Sequence, residues 1–431
     1  MTSKLNIKKN VVTTVTAFFI NILLTFIGYR LVVEQGGLAA LGVWSVLSAA
    51  IFIIRIGDVG MGSSAERHVA MVNAQTDPQK ARGYLDTAVV INAALFSILA
   101  LIGWLIFSYK IEWVVPAESH LQAEALHILP LMLAVFVISN IANVVSGGLR
   151  GLHLAYMSAY LSVAGALLQM FIIIVLVPKL GIAGLAWGQL AQNILIAIVA
   201  WYLFNRHLSQ YGVKLSVLPV QASKSLFQEL FNFSVRAQVV NLVNGLFEPV
   251  SKFIIGHSAG MSTLGLYEMA YKIVALPRNA VVSGVLGLTP AITRLLISDH
   301  KEAERLYFRA RRLVLLATGG VMLFVVLGSP LLSFFLLTEV DKTLIAFVAT
   351  LAIGFWLNSL GAPAYTLGFS AGKMQANLIS SILCLACVVL LSVILQTFWP
   401  VYGPVLASAS ALALGGLFIL WRNEKILKEY E

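Results

Sequence analysis

Charge is what this chain has least of. Across 431 residues only 11% are Asp, Glu, Lys or Arg, while 59% are hydrophobic. Water-soluble domains carry about 25% charged residues, because their surface must be solvated. A chain with less than half that share cannot cover a water-facing surface of its size. A soluble enzyme, a disordered chain and a soluble nucleic-acid module are thereby excluded. Cysteine is equally scarce. Cys384 and Cys387 are the only two, so no disulfide framework holds the fold. Their C-x-x-C spacing matches a redox motif, but both sit in the apolar run 378–396, where free cysteines act as small buried hydrophobes. There is no G-x-x-x-x-G-K-[ST] phosphate loop and no H-E-x-x-H, and the seven histidines are scattered. No cofactor, no metal and no enzymatic activity are expected.

Long apolar runs are what the chain has in abundance, and mean hydropathy is +0.89. A spanning helix needs about 20 apolar residues, and only helices satisfy their own backbone over such lengths in lipid. Barrel strands would alternate polar and apolar residues over about 10 positions, whereas runs such as 11–33 and 156–177 are continuous. The expected spans are 11–33, 39–61, 85–108, 126–149, 156–177, 182–204, 229–256, 262–285, 310–337, 343–369, 374–397 and 402–421. The predicted fold class is an all-α polytopic membrane protein of about twelve transmembrane helices. The eighth run continues past Pro277 and Pro290, which predicts a kinked or extended helix. The first run follows Lys4, Lys8 and Lys9 like a signal peptide, but it is too long for one and no A-x-A site follows, so it is read as a retained span.

Basic residues fix an orientation, since cytoplasmic loops collect Lys and Arg. The two ends and the even-numbered loops hold nineteen of them, including Arg67, Arg150, Lys214, Arg305 and Lys425; the odd loops hold Lys110, Lys179 and Lys342 alone. The alternation predicts both termini in the cytoplasm. It also accounts for most of the net charge of +10, so no nucleic-acid partner is needed to explain Arg305–Arg312.

The longest polar connection, 205–228, falls near the middle, predicting an N-terminal six-helix bundle over 1–204, a cytoplasmic linker and a C-terminal bundle over 229–431. An ungapped comparison of 21–55 with 244–278, an offset of 223, pairs Asn21 with Asn244, Leu23 with Leu246 and Gly37 with Gly260. It also pairs Leu41 with Leu264, Gly42 with Gly265 and Arg55 with Arg278. Two parallel pseudo-symmetric halves around a central cavity fit this pattern, because six helices return the chain to the same side.

Seven bases remain within or beside the spans: Arg30, Arg55, Arg236, Lys252, Lys272, Arg278 and Arg294. The acids there are Asp58, Glu66, Glu248 and Glu268. A charge at the bilayer centre costs about 3 kcal/mol on insertion scales, so each must face a polar cavity, find a partner or reach a headgroup. Glu248/Lys252 and Glu268/Lys272 are spaced i,i+4, Arg30/Glu34 likewise, and Arg55/Asp58 i,i+3, so local ion pairs compete with a functional role. Arg236 and Arg278 have no acid within one turn and are the most informative. A cationic cavity in lipid implies an anionic solute, and the arginine fork suits phosphate.

The chain resembles the Wzx-type polysaccharide flippases of the multidrug/oligosaccharidyl-lipid/polysaccharide exporter superfamily. The resemblance lies in the opening span with Asn21 and Arg30, Leu41-Gly42-Val43-Trp44, the stretch 56–62, Glu66-Arg67-His68-Val69-Ala70, Arg150-Gly151-Leu152 and the turn 178–184. It implies inversion of an undecaprenyl-pyrophosphate-linked oligosaccharide, such as an O-antigen or exopolysaccharide repeat unit, from the cytoplasmic to the periplasmic leaflet by alternating access. It further implies that Arg30, Arg55, Arg236, Lys252, Lys272 and Arg278 meet the substrate. Asp58, Glu66, Glu248 or Glu268 would serve any ion coupling, and other polysaccharide-assembly proteins would be partners. An ion-coupled multidrug exporter of the same superfamily is the alternative. A membrane glycosyl-transfer enzyme is disfavoured, because its usual large outer loop is missing; the longest odd loop is 109–125.

Overall fold

The computed structural model describes residues 7–55, 60–72, 76–116 and 119–428, with the side chains of 7–15, 119, 232–241, 290, 297 and 428 left aside. The described residues form helices and their connections. These are α1 (Ile7–Ile54), α2 (Met61–Met71), α3 (Pro78–Tyr109), α4 (Ser119–Gly151), α5 (Ala155–Leu180), α6 (Ala183–Ser209), α7 (Lys224–Gly245) and α8 (Phe247–Ala259). There follow α9 (Met261–Leu286), α10 (Thr289–Ser298), α11 (His300–Leu337), α12 (Lys342–Ser359), α13 (Ala362–Ser370), α14 (Gln375–Leu395), α15 (Gly403–Asn423) and α16 (Lys425–Lys428). Ten helical runs among the described residues are long and apolar enough to cross a membrane. The fold is therefore an all-α polytopic membrane fold.

One of these runs, Thr16–Ile54, is 39 residues long, nearly twice what a bilayer core requires. It breaks at Gly37, whose backbone stands at φ 72°, ψ −179°. Gly260 has nearly the same conformation, φ 86° and ψ 167°, between α8 and α9. This region is open essentially to glycine alone, which explains why Gly37 and Gly260 coincide in the internal comparison.

The chain divides into two compact units. The first comprises Met1–Gly36 and Ala50–Val239, the second Gly37–Ala49 and Val240–Glu431. In the first, α2, α3, α4 and α6 converge on an apolar cluster that includes Met61, Leu85, Val145 and Phe204, closed below by Val213 and Leu230. The connection after α6 is tied down here. Arg82, only 2% exposed, donates from Nη1 to the Lys214 carbonyl (2.5 Å), and Asp86 accepts from the Gln221 backbone N–H (2.9 Å). Tyr84 donates to Glu229 at the start of α7.

In the second unit, Ile292, Tyr307 and Leu367 pack with Ile426 and Leu427 from the C-terminal end. Tyr307, which stands 223 positions after Tyr84, donates to Glu424 (2.9 Å). Each repeat thus uses the same tyrosine to hold a carboxylate from the segment that follows its last long helix.

The second unit also contains the close crossing of 37–49 with α9. A Cβ on Gly42 would lie 2.0 Å from the Met261 carbonyl oxygen, and one on Gly265 would lie 2.3 Å from that of Leu38. The two contacts are related by the same offset of 223. Between them, Ser45 donates from Oγ to Glu268 Oε2 at 2.7 Å, and these two residues are also 223 apart. A residue that touches its own repeat equivalent lies on a local pseudo-twofold axis, so the two helices cross about that hydrogen bond.

Candidate functional site

The paired glycines bring two helices together at Glu268, and a charge network is built on that crossing. Lys252, on α8, approaches Glu248 Oε1 at 2.7 Å and Glu268 Oε2 at 2.7 Å. Lys272, one turn further along α9, reaches Glu248 Oε1 at 2.9 Å but stands 3.9 Å from Glu268 Oε1. The i,i+4 spacings therefore do not form two separate pairs. The four side chains close into a single ring of alternating charge across α8 and α9, and Ser45 supplies one further donor to Glu268. Lys252 and Glu268 are almost wholly buried, while Glu248 and Lys272 remain partly accessible. The ring is formally neutral, and isolating any one charge there would be costly.

Arg278, six residues beyond Lys272 on α9, has different surroundings. Its Nε donates to Ser359 Oγ (3.0 Å), Nη1 to Asn279 Oδ1 (3.1 Å) and Nη2 to Asn358 Oδ1 (2.7 Å). Asn358 is turned the right way by its own Nδ2, which donates to the Leu412 carbonyl (2.9 Å). The guanidinium also lies over the Phe355 ring, 5.8 Å from its centroid. None of the described residues offers Arg278 an ion pair. Neutral acceptors take three of its five N–H groups, which leaves the charge and a pair of donors unspent.

Arg278 lines a cavity of about 530 Å³ within the second unit. Of the described residues that line it, Arg278 alone is charged; Asn244, Asn358, Tyr365, Asn377 and Ser381 supply amides and hydroxyls. The amides are held in place. Asn244 Oδ1 accepts from Ser381 Oγ (2.5 Å), and Asn377 Nδ2 donates to the Tyr365 carbonyl (3.1 Å). Such a site can bind an anion with attached hydroxyls. Among the described residues no group of His, Cys, Asp and Glu is placed to hold a metal.

The first unit repeats two of these contacts. Arg55 Nη2 donates to Asn140 Oδ1 (3.1 Å), matching Arg278 and Asn358. Asn21 Nδ2 donates to Ser162 Oγ (3.4 Å), pairing the same residue types as Asn244 and Ser381 with the donor and acceptor exchanged. The identical residues of the internal comparison are therefore the ones that make equivalent interactions. Of the other charges, Arg30 pairs with Glu34 (2.7 Å) at a half-exposed position, and Glu66 pairs with Arg150 (2.9 Å) between α2 and α4. Arg294 is exposed on α10. Asp58 and the side chain of Arg236 lie outside the described residues. The sequence reading singled out charges and so passed over Asn140, Asn358 and Asn377, and met Asn244 only as a repeat match of Asn21. Asparagines inside otherwise apolar runs were the signal that would have found them.

Comparison with known proteins places this architecture. A family model described as "Polysaccharide biosynthesis protein" matches residues 48–340. A curated protein from Haloferax volcanii, "Probable flippase AglR", is 24% identical over 266 residues, covering 60% of this chain and 50% of the relative. The chain thus spans about half the length of the curated relative it matches. Among solved structures, an inward-facing multidrug resistance MATE family transporter of the MOP superfamily superposes with a TM-score of 0.79. It is 15% identical and covers 96% of this chain and 95% of that one. A MOP superfamily transporter from Pyrococcus furiosus, described as having a binding pocket of reverse polarity, gives a TM-score of 0.70 at 16% identity. It covers 98% and 96% of the two chains. These superpositions show that the chain shares the fold of those structures. Matched over about two thirds of its length, the chain belongs to the polysaccharide biosynthesis protein family.

Proposed function

We propose that the protein is a flippase that moves a polyprenyl-pyrophosphate-linked oligosaccharide, of the O-antigen or exopolysaccharide kind, from the cytoplasmic to the periplasmic leaflet of a bacterial inner membrane. The single observation that carries this reading is Arg278, an arginine with neutral partners lining a cavity whose other described residues are uncharged, a mixture of amides, hydroxyls, aromatic rings and aliphatic side chains. An oxyanion takes the two open guanidinium donors as charge-assisted hydrogen bonds, and the amides and hydroxyls take sugar hydroxyls. Arg55 with Asn140 repeats the arginine–asparagine contact in the first half. Arg236 belongs to the same proposed set, and Lys252 and Lys272 contribute positive character only to the extent that Glu248 and Glu268 release them.

This reading counts Thr16–Ile54 as two spans and α7 with α8 as one, which gives twelve spans in two six-helix halves. Transport would proceed by alternating access, both termini remaining in the cytoplasm. If an ion drives it, Glu248 and Glu268 are the acids whose partners would have to change; Asp58 and Glu66 complete that proposed set.

The test is a reconstituted one. Vesicles carrying the protein and a polyprenyl-pyrophosphate-linked oligosaccharide are treated with an impermeant lectin, and exposure of internal glycan is followed over time. The expected result is exposure well above protein-free vesicles. Absence of exposure, with accelerated efflux of a cationic dye instead, would replace this reading with the multidrug exporter.

A further inference from the structure

We infer that the connection between α6 and α7 is an interfacial anchor, inserting its apolar tip into the headgroup–acyl boundary of an anionic lipid leaflet. Four large apolar side chains stand out from it: Leu215 at 60% exposure, Val217 at 88%, Leu218 at 66% and Val220 at 69%. In an aqueous loop these positions would be polar, and a floppy connection would not hold them together. This one is fixed at both ends. Val213 is buried in the apolar cluster of the first unit, and the Lys214 carbonyl is held by Arg82. The Gln221 and Ser223 backbone N–H groups donate to Asp86 Oδ2 (2.9 Å) and Thr87 Oγ1 (3.0 Å). Ser216 Oγ donates to the Leu218 carbonyl (2.8 Å), tightening the tip itself.

The depth of the tip follows from α6. Trp201 Nε1 donates to the Ser216 carbonyl at 3.0 Å. Trp201 lies eight residues before Ser209, the last residue of α6, so the connection runs back along the helix by about 12 Å. A hydrocarbon core of about 30 Å takes up about 20 helical residues. Of the 27 in α6, seven are left over. Even if all seven project beyond the core at this end, Trp201 still falls inside it. Residue 216 is therefore held at the edge of the hydrocarbon, not in bulk water.

The neighbouring surface belongs to lipid as well. Ile194, Ile198 and Tyr202, spaced i, i+4, i+8 on α6, are all exposed. Arg206, one turn beyond Tyr202 on α6, and Lys214, next to Leu215, are both exposed. An apolar tip flanked by basic side chains is the arrangement that binds an anionic interface. A protein partner would have to reach this tip through the headgroups.

A spin label at Val217→Cys in the full-length chain, reconstituted in phosphatidylcholine–phosphatidylglycerol vesicles, reads the depth directly. Leu218→Cys serves as the second position should the first fail to fold, and Gln210→Cys is the aqueous reference. Signal from the two native cysteines is subtracted with the unsubstituted chain. The expected result is oxygen accessibility above that of a water-soluble nickel chelate at 217, with the order reversed at 210. Greater access to nickel than to oxygen at 217 would overturn the inference. So would protection from both, because the tip would then be covered by protein.

Discussion

Lys252 and Arg278 lie on neighbouring helices and carry the same charge, yet they do different work. Lys252 is buried between two carboxylates; Arg278 has none and lines a cavity. The first arrangement is structural by the arithmetic of burial. Removing one member of a buried pair strands its partner and costs about 3–5 kcal/mol. Lys252→Met is therefore expected to lower thermal stability in detergent by about that amount, because Glu248 and Glu268 then face one another with Lys272 alone between them. Lys252→Met combined with Glu268→Gln restores the charge balance and is expected to recover most of the loss, as followed by a fluorescence melt. Sequence spacing located these four residues and the Glu248–Lys252 contact, but not the contacts between helices. The i,i+4 rule sees one helix at a time, and an equally short link runs from Lys252 on α8 to Glu268 on α9. The amide partners of Arg278 and Arg55 escaped for a different reason: an asparagine inside an apolar run marks itself as a buried polar group, but which residue it bonds to is a property of the folded chain.

At the scale of the element, the crossing of 37–49 with α9 depends on the absence of a side chain. A methyl at Gly42 or Gly265 meets backbone oxygen at 2.0 or 2.3 Å, and backbone cannot step aside as a flexible side chain can. Gly42→Ala and Gly265→Ala are each expected to reduce folded protein in the membrane severely. Gly284→Ala and Gly320→Ala, where the added atom meets open space, are expected to leave the yield unchanged or slightly raised, since alanine favours the helix. Size-exclusion profiles of the four variants decide between these outcomes. Gly37→Ala strains a backbone at positive φ, with an expected loss of at least about 1 kcal/mol. Periodicity was enough to reveal the long helices, because apolar runs of that length have few alternatives in lipid. It did not reveal that residues 37–49 pack with the second unit, since which unit a helix joins is decided by tertiary contacts. The short helices α2 and α10 were likewise absorbed into a loop or the extended eighth run, being too short to carry a span signal of their own.

For the whole molecule, the internal repeat is the thread that joins sequence to site. Gly42 and Gly265 recur because they let two helices touch, Asn21 and Asn244 because each meets a serine, and Arg55 and Arg278 because each meets an asparagine. The basic loops predict an orientation that reporter fusions check. Fusions after Gln210 and after Asn423 are expected on one side, and fusions after Lys110, Lys179 and Lys342 on the other. A fusion after Gln210 reporting from the outer side would reverse the topology. The account as a whole rests on Arg278 as the cationic contact for a phosphorylated head. Loss of its two open donors removes charge-assisted hydrogen bonds worth about 1.5–3 kcal/mol each, enough to lower flux at least about tenfold. The decisive measurement is surface glycan in cells that depend on this protein, comparing Arg278→Ala with Arg278→Lys at equal membrane abundance. The account predicts near-complete loss with alanine and partial display with lysine, which keeps the charge but not the fork. Full display by the alanine variant would contradict it.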